Sequence, residues 1–104
     1  MIYMQATVDV IPDKVGEFVE FLGKELAPFV DRFGMKLVGS WTNTVGTMFQ
    51  VIDLWAFESL EHFGRAITAM VRDPEFRKLD SRLRTIITSE TTKVLWPLPC
   101  SPMR

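Results

Sequence analysis

The order of hydrophobic periodicities along this chain predicts an α+β fold, β-α-β-β-α-α-β, with one four-stranded antiparallel sheet. Three observations carry that prediction. Ile2 to Val10 alternates apolar and polar residues with period two. Phe49-Gln50-Val51-Ile52-Asp53-Leu54-Trp55-Ala56-Phe57 is an almost unbroken apolar run, rich in β-branched and aromatic residues. Outside these runs lie stretches whose apolar residues recur every three or four positions, bounded by residues that start and stop helices.

Taken in order, Ile2, Met4, Ala6, Val8 and Val10 share one face of the first strand, and Tyr3, Gln5, Thr7 and Asp9 share the other. Pro12 and Asp13 then open a helix, because proline in the first turn loses no hydrogen bond. Val15, Phe18, Val19, Leu22, Leu26, Phe29, Val30 and Phe33 form its apolar stripe. Pro28, inside that stripe, removes a backbone donor and predicts a kink in the preceding turn. Gly34 is the expected stop.

Met35 to Thr42 is the second strand, and a polar loop around Asn43–Gly46 makes it a hairpin with Phe49–Phe57. For a loop of two or four residues, Lys36, Val38, Ser40 and Thr42 share a face with Phe49, Val51, Asp53, Trp55 and Phe57. An odd loop exchanges the faces, and a one-residue slip inverts them. Ser59 caps a second helix, Leu60 to about Arg72. Asp73-Pro74 restarts a third, to about Arg84. Thr88 to Trp96 is the last strand, and residues 97–104 form a proline-rich tail.

This is the ferredoxin-like order. The fold covers one sheet face with helices and leaves the other bare, whereas Phe49–Phe57 is apolar on both sides. A homodimer with two sheets face to face resolves that conflict.

With 104 residues the chain is one domain, 1–104. Twelve basic and thirteen acidic residues, mixed along the chain, leave a net charge of −1 and argue against nucleic acid as a partner. The longest uncharged stretch, Leu37 to Ile52, is too polar for membrane insertion. One cysteine excludes an internal disulfide and suits a reducing compartment. The expectation is a cytoplasmic protein.

Met1-Ile2-Tyr3, Gly34-Met35-Lys36-Leu37-Val38-Gly39 leading to Trp41, Thr44-Val45-Gly46, and Leu54-Trp55 followed by Glu58-Ser59-Leu60 together resemble the NIPSNAP family. Asp73-Pro74-Glu75-Phe76, Leu95-Trp96-Pro97-Leu98-Pro99 and Ser101-Pro102 continue the likeness in order. The resemblance implies a dimeric α/β barrel, a superfamily that includes cofactor-free monooxygenases and haem-degrading enzymes. The chain departs from the family pattern at Asp53, where His is common, and at Ala6 and Val8, where Arg and Tyr are frequent. Arg65 is what remains of an arginine-rich second helix, with Phe63 and Ile67 at positions that are often Arg.

Asp53 is the one charge in its strand. It is either a general base or hydrogen-bond acceptor in a cavity, or the partner of Lys36, which a four-residue loop places opposite it. The ion pair is the preferred reading. Trp55 and Trp41 are either cavity wall or core, with core preferred. Arg65 is a candidate contact for a ligand carboxylate, and a salt bridge to Glu61 is its ordinary role. His62, the only histidine, has no second ligand nearby, so no metal site is expected, and a surface position is its default. Cys100 lacks a basic partner in sequence. The basic residues from Arg72 to Arg84 read as a solvated helix face, and the sheet lacks the aromatic signature of an RNA-binding module. No phosphate loop, Ser–His–Asp set or zinc spacing is present, and no cofactor is expected. Two functional classes follow. One is a dimer with an apolar cavity between sheet and helices for a small hydrophobic or aromatic molecule. The other is an interaction module with a filled core.

Overall fold

The period-two stretch at the N-terminus becomes a central strand, β1 (Ile2–Val10), flanked on each side by an antiparallel partner. The computed structural model describes residues 1–104. Its sheet is built from β1, β2 (Lys36–Thr42), β3 (Gln50–Phe57) and β4 (Ile87–Leu95), in the order β2-β3-β1-β4. All neighbours are antiparallel, as the ferredoxin-like order requires. Helices α1 (Val15–Phe21), α2 (Ala27–Asp31), α3 (Leu60–Arg72) and α4 (Pro74–Arg84) pack on one face.

The expected kink at Pro28 takes the form of a π-helical turn, Leu22–Leu26, between α1 and α2. Its signature is the Ala27 N–H reaching back five residues to the Leu22 carbonyl. The wider turn accommodates a proline whose ring and missing donor do not fit a regular helix. Gly34 ends the segment with φ +85°, a conformation that side chains with a Cβ resist. The Ser59 hydroxyl accepts from the His62 N–H at α3, and the Asp73 carboxylate accepts from the Glu75 N–H at α4. Both are the caps expected from sequence.

The inner, helix-facing side of the sheet carries Ile2, Ala6 and Val8 of β1 beside Phe57, Asp53 and Val51 of β3. With Phe18, Phe21, Met35 and Ile86 these form the buried core. The outer side of β3 is only half covered at Ile52 and Leu54. Within one chain, therefore, the outer face of this strand is buried only at Ala56, beside Tyr3 of β1. Across the outer face runs a polar row. Asn43 Nδ2 donates to Gln50 Oε1, Gln50 Nε2 to Asp9 Oδ1, and Ser89 Oγ to Asp9 Oδ2.

The last pair of the hairpin is Thr42 with Val51, so residues 43–50 connect them, an even connection longer than four residues. Its length moves the partner of Asp53 by four positions, so Ser40 faces it and Lys36 does not. A bulge at Val38, between Leu37 and Gly39, then turns Leu37 inward opposite Trp55 and places Lys36 opposite Ala56. The expected Lys36–Asp53 ion pair is thus not formed. Lys36 Nζ instead meets Asp31 Oδ1 at 2.6 Å on the surface.

Candidate functional site

The inner sheet face and the helices enclose a cavity of about 190 Å³. Its floor is β1 and β3. Ala6, the smallest residue on the inner side of β1, leaves space beside Asp53 of the neighbouring strand. Trp55, two residues beyond Asp53, supplies an aromatic wall. The roof comes from Phe18 of α1, Val30 of α2 and Ile67 and Met70 of α3. Leu26 joins it from the π-helical turn, so the Pro28 irregularity shapes the site.

Asp53 is 2% exposed. Its Oδ1 accepts a 2.7 Å hydrogen bond from the Ser40 hydroxyl, the one donor placed on this carboxylate. Burial pushes its carboxyl above the ordinary value of 3.8, and the Ser40 hydrogen bond opposes that shift. An inward carboxylate with a single neutral donor is costly to ionise.

Two further carboxylates line the same space. Asp80 stands on α4 between Phe76 and Leu83, which also face the cavity, and Glu90 stands on the inner side of β4. On this side Glu90, Thr92 and Val94 of β4 are exposed although α4 packs beside the strand, and this side is the mouth. Asp80, Leu83 and Glu90 also border the surface groove outside it. Arg84 Nε donates to Asp80 Oδ2 at 2.9 Å on this rim. Glu90 has no such partner. Although its side chain reaches solvent, the surrounding protein withdraws enough water to push its carboxyl up, and the charges of Asp53 and Asp80 act in the same direction.

Of the four residues singled out from sequence, Asp53 and Trp55 line the cavity and Trp41 and Arg65 do not. Trp41 is neither core nor cavity wall. It is 57% exposed on the outer sheet face, its ring lying over Gly39, where a Cβ would come within 2.3 Å of it. Arg65 points from α3 into solvent, 4.0 Å from Glu61. His62 is not a plain surface residue. Its Nδ1 accepts from the Glu58 N–H, so Nε2 carries the proton and donates to the Phe33 carbonyl at 3.0 Å. It therefore ties the start of α3 to the turn before β2. The free cysteine, Cys100, is exposed in the tail.

Sequence reading missed Ser40, Asp80 and Glu90. Asp80 was legible in part, because it falls four residues after Phe76 and three before Leu83, within the apolar stripe of α4. Ser40 required the true hairpin register. Glu90 required knowing which side of β4 faces the helices.

Comparison with known proteins agrees with this architecture. An uncharacterized NIPSNAP domain protein from Burkholderia xenovorans superposes with a TM-score of 0.89 at 22% identity, covering 98% of this chain and 99% of that one. A NIPSNAP family protein from Agrobacterium tumefaciens does so with the same score and identity, over 99% and 98%. A structure described as an antibiotic biosynthesis monooxygenase shares the fold at a TM-score of 0.65 and 11% identity, over 95% and 100%. No curated protein matches the chain. The family model for NIPSNAP matches residues 3–102, and the chain belongs to the NIPSNAP family.

Proposed function

We propose that this protein binds a small hydrophobic or aromatic molecule in the cavity between sheet and helices, with Asp53 as its polar contact and Trp55 as apolar wall. The observation that carries this reading is the cavity itself, about 190 Å³ of largely apolar space with one buried carboxylate turned into it. An apolar cavity of about 150 Å³ suffices to hold benzene, so one aromatic ring with a short substituent fits. An interaction module with a filled core has no use for such a space. Native mass spectrometry of protein purified under mild conditions tests the reading. A copurified small molecule that is lost when Ala6→Leu fills the cavity supports it, and retention by the filled variant overturns it.

The working form is a homodimer joined through the outer sheet faces. Ile52 and Leu54 are half covered there and Trp41 is 57% exposed, which leaves apolar surface for a second copy. A stable interface of this kind buries about 800 Å² on each partner. Sedimentation at micromolar concentration tests it, with twice the 12.0 kDa chain mass expected and a 12.0 kDa species contradicting it.

A further inference from the structure

Every polar side chain turned toward the cavity is a carboxylate: Asp53 at the floor, Asp80 and Glu90 toward the mouth. The cation beside them, Arg84, lies on the outer rim and is engaged by Asp80. That leaves Asp53 and Glu90 without a positive partner. Asp53 is 2% exposed, and its second oxygen, Oδ2, receives no hydrogen bond.

We propose that the cavity selects a small apolar molecule bearing a protonated amine, with the ammonium on Asp53 Oδ2, the negative charge of Glu90 favouring it from the mouth, and the hydrocarbon body against Trp55 and Phe18. This rests on the binding reading above and names the ligand class for it. An ammonium supplies both what the buried carboxylate lacks, a charge and a donor, and the ion pair gains strength where water is excluded. A ligand carboxylate meets only like charge and is rejected. A metal ion is not the alternative, because no group of His, Cys, Asp or Glu side chains is placed to hold one. The raised carboxyls of Asp53 and Glu90 are consistent with this, since each ionises more readily once a cation arrives.

Four probes with one body and different heads decide the matter: 2-phenylethylamine, 2-phenylethanol, ethylbenzene and phenylacetate. Each is titrated into the full chain at pH 7 and followed by NMR at the Trp55 indole and the Met70 methyl. The amine is expected to bind at least tenfold more tightly than the alcohol, and phenylacetate the weakest of the four. In Asp53→Asn the amine preference should fall to threefold or less while alcohol affinity is retained. Alcohol or ethylbenzene binding as tightly as the amine overturns the amine assignment and leaves the cavity-binding reading in place. So does phenylacetate binding as tightly as the amine, or an amine preference undiminished in Asp53→Asn. If none of the four binds, both this inference and the binding reading fall. Should Asp53→Asn not fold, Glu90→Gln on the exposed rim decides. A loss of amine affinity of threefold or more supports the proposal, and no loss overturns it.

Discussion

The Ser40 hydroxyl lies across the β2–β3 pair from Asp53 and donates to its Oδ1 at 2.7 Å. A neutral donor thus stands where sequence reasoning placed a lysine. The difference matters, because a hydroxyl lowers the cost of burying a carboxylate without neutralising it. Asp53 remains a charge facing an apolar cavity.

Asp53→Asn therefore raises stability at pH 7. Asparagine keeps the volume and the acceptor for Ser40 and removes the buried charge. A gain of about 1 kcal/mol moves the melting temperature by roughly 4–8 °C in a domain of this size. The folded carboxyl titrates above its ordinary 3.8, so the penalty is absent below that value and grows as pH rises through the folded pKa. Burial sets that shift and the Ser40 donor from β2 opposes it, while Glu90 from β4 and Asp80 from α4, the latter paired with Arg84, are the charged groups that face the same cavity. Thermal melts from pH 3 to 7 should show variant and wild type converging in acid. A variant less stable than wild type at pH 7 contradicts this account.

Ser40→Ala should have the opposite effect. It strips the buried carboxylate of its donor, a loss of about 1–3 kcal/mol. Because the cost arises through the charge, it should shrink in the Asp53→Asn background. A double-mutant cycle from urea denaturation measures the coupling, and additive effects would mean that the two side chains do not act as a pair.

Asp9, on the outer sheet face, carries the reverse pH signature. The hydrogen bonds from Ser89 and Gln50 hold its carboxyl below 3.8. Its contribution is complete above that value and disappears as pH falls through the folded pKa. Asp9→Asn is expected to lower the melting temperature at pH 7 and to match wild type in strong acid. The two aspartates, tested side by side, should diverge in sign at neutral pH.

Gly34→Ala combines two faults. The residue sits at φ +85°, and a Cβ there would lie 2.7 Å from His62 Nε2. A left-handed backbone alone costs a non-glycine residue about 1–2 kcal/mol. The clash adds the disturbance of the His62 bond to the Phe33 carbonyl. Loss of more than roughly 2 kcal/mol in chemical denaturation is expected. A second variant, His62→Ala, removes the clash but leaves the Glu58 N–H and Phe33 carbonyl without their partner. Gly34→Ala should therefore cost less in that background than in wild type.

Ala6→Leu tests the cavity through volume rather than charge. The larger side chain projects into the space beside Asp53 and should abolish probe binding. Overpacking a filled core costs about 1–3 kcal/mol. Filling an existing cavity should cost less, so a melting temperature within a few degrees of wild type is expected. A collapse of stability would show that the interior has no spare room.

Local chemistry was enough to determine the elements and their order. Period-two alternation marked β1, the Ser59 and Asp73-Pro74 caps marked α3 and α4, and Gly34 marked the end of the first helical segment. These signals act over a few residues and compete with little else. The sequence also showed that Asp53 was the exceptional residue of its strand, since a charge among β-branched and aromatic neighbours needs an explanation wherever the strand lies. Its partner was another matter. The face of Asp53 followed from parity, but Ser40 rather than Lys36 followed from a connection longer than four residues. The bulge at Val38 then changed the facing of Leu37 and Lys36 alone. Trp41 and Trp55 are both strand tryptophans, yet adjacent strands placed in register send one outward over Gly39 and the other into the cavity. Asp80 and Glu90 reach the site only because α4 and β4, distant in sequence from Asp53, close over the same side of β1. Such convergence depends on long-range packing and register, where a shift of one residue reverses a side chain, and only the tertiary structure decides it.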